Sequence, residues 1–349
     1  MRIKCYIGFI VVALVVSILP AGRLWAAETQ YRFIAKIDVG GEGGWDYASV
    51  DSAARRLYVT HGTKVVVIDL DKNAVVGEIT DTPGVHGFAP APELGLGFSS
   101  NGMENKASIV DLKTLQTKSK VDTGANPDAI LYDPGRKEVY TFNGRGSSAT
   151  VFEAASGKVV ATIPLPGKPE FAQVDVQAGR IYNNIEDKNE VVVLDAKTHS
   201  VAATWPIAPG EGASGMAIDL ANHRLFLGAE KLMVMMDSSS GKVVATVPIG
   251  AGVDANSFDP ETKLAFASCG DGTVTIAHED SPDKLTVVQV LQTARGARTM
   301  TLDPKSHRIY LAAADYEAPA AQPSPGQRPP RPKMVPNSFR VLVYGPEGK

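Results

Sequence analysis

The sequence predicts an all-β chain folded as a seven-bladed β-propeller of four-stranded antiparallel blades, and three observations predict it. The stretch PDAILYDPGRKEVYTFNGRGSSATVFEAASGKVVATIPL, Pro127 to Leu165, holds four short runs rich in Val, Tyr, Phe, Ile and Thr, parted by Pro-Gly, Asn-Gly-Arg-Gly-Ser and Ser-Gly. Runs of this kind, broken by residues that tolerate positive φ or preset a turn, read as a four-strand meander. The unit recurs: aligned on Asp133, its copies fall at Asp51, Ala91, Asp133, Asp175, Asp219, Asp259 and Asp303, 40 to 44 residues apart. Seven residues after each comes an aromatic: Tyr58, Phe98, Tyr140, Tyr182, Phe226, Phe266 and Tyr310. One such sheet cannot bury both faces alone, so copies at this period stack side by side, and seven copies give seven blades.

At the N-terminus, MRIKCYIGFIVVALVVSILPAGRLWAAE is a basic tip, an apolar run and a small-residue exit near Ala26 and Ala27. That order of features is a secretory signal over residues 1–26, which makes the mature chain periplasmic or secreted. The apolar run from Tyr6 to Leu19 is long for a signal core but short for a spanning helix, so the rival reading is an uncleaved membrane anchor, and no stable membrane insertion is expected once the signal is cleaved. Cleavage takes away Arg2, Lys4 and Arg23 and moves the net charge from −3 to −6. A mildly acidic chain with no Lys/Arg run outside one Pro-rich insertion lacks the basic footprint of a nucleic-acid binder. Cys269 is the sole cysteine of the mature chain, which excludes an intramolecular disulfide; it is expected as a small half-buried residue rather than a reactive thiol.

Residues 27–349 are expected to form one domain, because the repeat leaves no room for a linker. Residues 31–39, YRFIAKIDV, match the fourth strand of other copies such as VVATIPL, while the chain ends at GPEGK where the last copy would begin its own fourth strand. The N-terminal strand is therefore expected to complete the last blade and remove two open sheet edges. The third strands end at Asp69, Asp111, Glu153, Asp195, Asp237, His278 and Tyr344. Five of these seven are acids, placed to accept backbone N–H groups of the next turn. Blade 2 departs most, since GFAPAPELGLGF lacks both the Asp and the basic residue before its second strand. The insertion at 316–338, YEAPAAQPSPGQRPPRPKMVPNS, is excluded from the ladder by its prolines and reads as an extended surface loop. Its Arg328, Arg331 and Lys333 suit an acidic partner.

Segments such as RRLYVTHGTKVVVIDLDKNAVVGEI and HRLFLGAEKLMVMMDSSSGKVVATVPI resemble the YVTN repeat of the YncE-like seven-bladed propellers of bacteria, over nearly the whole mature chain. The resemblance implies the fold and names no activity, because the repeat is a packing motif.

Function is argued from the face where the innermost strands begin. Five residues before each alignment position stand Asp46, His86, Asp128, Glu170, Ser214, Asp254 and Arg298, a polar ring at the mouth of the central funnel. Trp45 and Tyr47 flank Asp46 as stacking surfaces, and His61 and His86 are the histidines expected to reach the mouth. His199, His223, His278 and His307 fall in turns of the opposite face and are expected at the surface. Carboxylates gathered round one axis raise one another's pKa unless a cation compensates. The ring therefore suits a divalent metal ion, an amine or a polyhydroxy ligand. His86, Asp128 and Glu170, from consecutive blades, are the expected metal set, and Arg298, beside Asp46 across the closure, is expected to anchor an anionic group.

No HExxH, paired CxxC, GxSxG or phosphate-cradling loop is present. Two function classes remain. One is a monomeric binding or interaction module for a small molecule or a protein partner. The other is a metal-dependent lyase or hydrolase, lactonase-like, with His86 as acid or base.

Overall fold

The computed structural model describes residues 1, 30–317 and 333–347. The expected signal segment and the centre of the Pro-rich insertion lie outside them. The described residues form twenty-eight strands in seven four-stranded antiparallel sheets. The first six are local meanders spanning residues 48–79, 85–122, 127–164, 169–206, 213–248 and 253–292, here blades 1 to 6. Blade 7 takes three strands from residues 300–346 and its outermost strand, Tyr31–Asp38, from the other end of the chain.

The innermost strands are Ala48–Asp51, Val85–Ala91, Pro127–Asp133, Pro169–Asp175, Ala213–Asp219, Val253–Asp259 and Met300–Asp303. Each touches the one before and the one after, and the last touches the first, so the ring is closed. The hydrophobic core is correspondingly divided into seven clusters, each filled from two neighbouring blades. Tyr58, Val65 and Val67 of blade 1, for example, pack with Val85, Phe88 and Val110 of blade 2. Every repeat aromatic enters the cluster between its own blade and the next, and none is more than 1% exposed. Truncating one to Ala removes an aromatic from a close-packed seam, a loss of about 3–5 kcal/mol.

The acids at the third-strand ends act as expected in four blades. The Oδ1 atoms of Asp69, Asp111, Asp195 and Asp237 each accept two backbone N–H bonds from the following turn, and burial is slight enough that these bonds hold the first three carboxyls below their ordinary pKa. Glu153 is too long for that turn and takes the Ser156 hydroxyl instead, 2.7 Å away. In blade 6 the third strand does not stop at His278 but runs on to Ser281, opposite an equally long fourth strand. Blade 2, without its Asp, forms the same hairpin through a 3-10 turn at Pro92–Leu94 closed by Gly95 in the left-handed region, φ 64°.

Three expectations are corrected. Cys269 is fully buried rather than half-buried, and burial pushes its thiol up to about 12. His307 is not a surface residue: it is 5% exposed, with Nδ1 2.6 Å from the buried Asp259 carboxylate. The insertion is not free of pairing, because Tyr316 bridges Met334, Glu317 N–H donates to the Lys333 carbonyl and Val335 N–H to that of Asp315.

The closure is held by more than its ladder. Tyr31–Asp38 pairs with Arg340–Pro346 from Tyr31↔Pro346 to Asp38↔Arg340. Gln289 of blade 6 clips both the N–H and the carbonyl of Tyr31 at 2.8 Å, and the Tyr31 hydroxyl donates to the His307 carbonyl at 2.7 Å. Deleting residues 31–38 should empty the Tyr31 position, open two sheet edges and leave the protein aggregated or melting many degrees lower; an unchanged, soluble monomer by light scattering and calorimetry would refute the closure's role. Replacing residues 318–332 with Asn-Gly, which keeps the short paired stem from Asp315 to Val335, should leave the melting temperature within a few degrees, and a large drop would show that the excised part packs on the propeller.

Candidate functional site

The mouth residues owe their position to an irregularity repeated in the innermost strands. In blades 2 to 5 two residues face one on the second strand: His86 and Gly87, Asp128 and Ala129, Glu170 and Phe171, Ser214 and Gly215, each pair lying between the register shifts. Blade 6 has the same extra residue at Asp254. Such bulges turn a side chain out of the ladder and aim it. In blades 1 and 7 the mouth residues Asp46 and Arg298 stand two residues ahead of their strands instead, Asp46 fixed by its N–H on the Thr60 hydroxyl at 3.0 Å.

The structure divides the polar ring into separate groups. In the first, from blades 1 to 3, His86 Nδ1 lies 2.7 Å from Asp46 Oδ2 and 3.6 Å from Asp128 Oδ1. Burial works against a charged imidazole here, but the Asp46 hydrogen bond and the charges of Asp128 and Asp46 outweigh it and raise His86 above its ordinary value. Burial and the neighbouring Asp46 charge push Asp128 up to about 6. In the second group Glu170, 8% exposed, takes Lys168 Nζ at 2.5 Å and stands 3.4 Å from the Tyr47 hydroxyl. Burial first and the Asp128 charge second lift Glu170 to about 7, against the pull of Lys168. The third group joins Asp254 to Arg298 Nε at 3.5 Å and to the Thr299 hydroxyl at 3.3 Å. Burial and the Asp46 charge raise Asp254, while Arg298 opposes them. Ser214 caps the Asp254 carbonyl at 3.5 Å.

Tyr47 crosses the funnel. It belongs to blade 1, yet its ring packs on Phe171 of blade 4 at 5.3 Å and its phenol is held un-ionised by burial and by the charges of Asp128, Glu170, Asp46 and Asp254. Its ring is packed against Phe171 and its hydroxyl ends beside Glu170. Trp45 is half-buried and stacks on Phe339 at 4.9 Å. His61 does not reach the mouth: it is 1% exposed under Gly41 and against Phe339, and burial with the nearby Lys64 charge drops it to about 4. Arg298 pairs with Asp254, not with Asp46. Glu170 stands apart from the metal set expected for it, and among the described residues the three groups able to share one ion are Asp46, His86 and Asp128, whose donor atoms all lie within 4.8 Å of one another.

Above this triad lies a cleft of about 700 Å³ between blades 1, 2 and 3, walled by Trp45, Met103, Asn105, Asn126 and Arg145 as well as Asp46 and His86. Gly102 in its floor makes room for the imidazole, since a Cβ there would stand 2.6 Å from His86 Nε2 and 3.0 Å from Asn126 Oδ1. Lys168, Asn126 and Arg145 were not legible as site residues in the sequence. Lys168 could have been found, two positions before Glu170 and on the same side of an extended strand.

The fold and this mouth define a seven-bladed β-propeller with a polar, carboxylate-rich funnel entrance. The chain is 24% identical over 147 residues to the uncharacterized protein YncE of Salmonella typhi, and equally to that of Salmonella typhimurium, the match covering 40% of this chain and 41% of each relative. It thus spans about two-fifths of the length of the curated relatives it matches. The YncE-like character read from the YVTN-type repeat is supported by that similarity. Among solved structures, a hydrazine synthase chain from Kuenenia stuttgartiensis superposes with a TM-score of 0.69 at 15% identity, covering 78% of this chain and 94% of that one, which is a likeness of fold alone. No family model matches the chain.

Between pH 4.5 and about 7 the unfolded chain releases the Glu170 proton and the folded chain keeps it, so this residue's contribution to stability falls as pH rises through that window. Glu170→Gln should remove the fall. Denaturant unfolding at pH 5 and pH 8 is expected to show the variant gaining about 1–3 kcal/mol on the parent at the higher pH, and a pH-independent difference would refute the raised pKa.

Proposed function

We propose that this chain is a monomeric, secreted or periplasmic binding or interaction protein whose ligand or metal occupies the cleft at the funnel mouth. The observation that carries this reading is the contrast within the ring. Glu170 and Asp254 are paired with Lys168 and Arg298, whereas Asp46, His86 and Asp128 converge without a Lys or Arg of their own, and Asp46 and His86 line a cleft large enough for a small molecule. The secretory character of residues 1–26 supports the location. Among the described residues, no helix is long and apolar enough to cross a membrane.

The lyase or hydrolase reading rests on one feature, the imidazole of His86 oriented by Asp46 at 2.7 Å, the arrangement of a general base and the carboxylate that fixes it. The binding reading needs only the cleft and its converging polar groups, and so is preferred. A thermal-shift screen of small metabolites against the full mature chain, repeated with the isosteric pair Asp46→Asn and Asp128→Asn, tests it. The variant should melt within a few degrees of the parent and lose at least about tenfold in affinity for any hit. Hits that bind the variant as tightly would place the ligand elsewhere.

A further inference from the structure

We infer that the triad is a divalent transition-metal site whose open position accepts a small carboxylate ligand reaching towards Arg145. This deepens the reading above and rests on it. The donor set is one imidazole nitrogen and two carboxylates, the mixture that ions of the zinc and manganese type take with oxygen and nitrogen ligands. The spacing is close to what one ion requires. Tetrahedral bonds of about 2.0–2.1 Å put donor atoms roughly 3.3 Å apart, and His86 Nδ1 stands 2.7 Å and 3.6 Å from its two carboxylate oxygens. The first pair must open by about 0.6 Å and the second close by about 0.3 Å, and all three donors already lie within 4.8 Å of one another.

The surroundings are built for this ring position. Gly102 leaves room for His86 Nε2, which a Cβ there would approach to 2.6 Å, and the Asn126 side chain hydrogen-bonds the imidazole. A support behind the far nitrogen of a ligating histidine is the usual second layer of a metal site. Three protein donors leave at least one coordination position, and here the space beyond the donors is the cleft rather than protein.

The charge balance names the ligand class. Two carboxylates beside a single imidazole leave the metal-free triad without a net positive charge to hold an anion. A divalent ion offsets the carboxylates and then presents its own open position. Arg145 is the one Arg or Lys among the described residues that line the cleft, and it is exposed. Its guanidinium suits a second carboxylate oxygen pair in bidentate fashion. Anion binding is therefore conditional on metal, and a dicarboxylate that spans the metal and Arg145 is the best probe of both ends.

The test uses the mature chain stripped with chelator. Calorimetric titration with zinc chloride, and separately with manganese chloride, should give one ion per chain, weakened at least tenfold by His86→Gln and by Asp128→Asn but not by Asp254→Asn. Circular dichroism and melting establish that each variant is folded. Succinate should then bind the metal-loaded protein and not the metal-free one, and Arg145→Met should weaken succinate at least fivefold with metal affinity unchanged. No stoichiometric uptake of either ion, or uptake unaffected by His86→Gln and Asp128→Asn, overturns the metal site. Metal uptake with succinate binding that is absent or indifferent to Arg145→Met overturns the ligand assignment. If neither ion binds while a screening hit still depends on Asp46 and Asp128, this inference fails and the binding reading stands; loss of both brings down the two together.

Discussion

Everything in this molecule depends on the fact that a blade is apolar on both faces. A single four-stranded sheet with Val, Ile, Leu and aromatic side chains on each side cannot be stable in water, and a stack of them leaves two bare ends. A ring has no ends. The seven core clusters each lie between two blades, and the repeat aromatic that reaches forward into the next seam is the side chain that makes one blade's burial conditional on its neighbour. Closing the ring with a strand from the opposite terminus extends the same dependence to the whole chain. Gln289 and Tyr31 tie that strand to blade 6 as well as to blade 7, so the last seam is stitched by side chains in addition to its ladder.

Small polar side chains link the same seams from the inside. Ser49 donates to the Phe88 carbonyl, Ser100 to that of Asp128, and Asn184 to those of Ser214 and Gly215, each reaching from one innermost or second strand to the inner strand of the following blade. Two of these bonds fix the carbonyls of the mouth residues Asp128 and Ser214 while leaving their side chains free of them. The cost of gathering four carboxylates there is met group by group, by Lys168, by Arg298 with Thr299, and by His86, with the Tyr47 phenol beside Glu170. The mouth is in this way asymmetric on a scaffold that is nearly sevenfold.

How much was legible in the sequence follows from what each feature depends on. The blade count, the strand order and the closure are set by local runs and by a period, and these stand in the sequence itself. The seven mouth positions were also legible, because the offset of five from the repeat Asp is fixed by strand length. Their pairing was not. Arg298 turns to Asp254 rather than Asp46, and Asp46 takes the place beside His86 expected of Glu170, because partners are set by the direction each side chain leaves its bulge, which no spacing encodes. His61 and His307 were misplaced for a related reason: a turn residue is exposed only if nothing packs over it, and here the Gly40–Gly44 stretch with Phe339 covers one while Asp259 draws in the other. Tyr47 reads as a neighbour of Asp46, and only the curvature of the ring brings it to blade 4.

The bulges in blades 2 to 6 have a bearing on how such a protein changes over time. A residue inside a regular ladder is bound to its cross-strand partner, and altering it disturbs pairing on both sides. The extra residue at each bulge has no such partner. Histidine, aspartate, glutamate and serine all occupy it here without any change in the strands that carry them. The entrance of the funnel can thus be rewritten one letter at a time while the ring of blades goes on folding as before, so that chains alike in every seam can carry quite different side chains at the mouth.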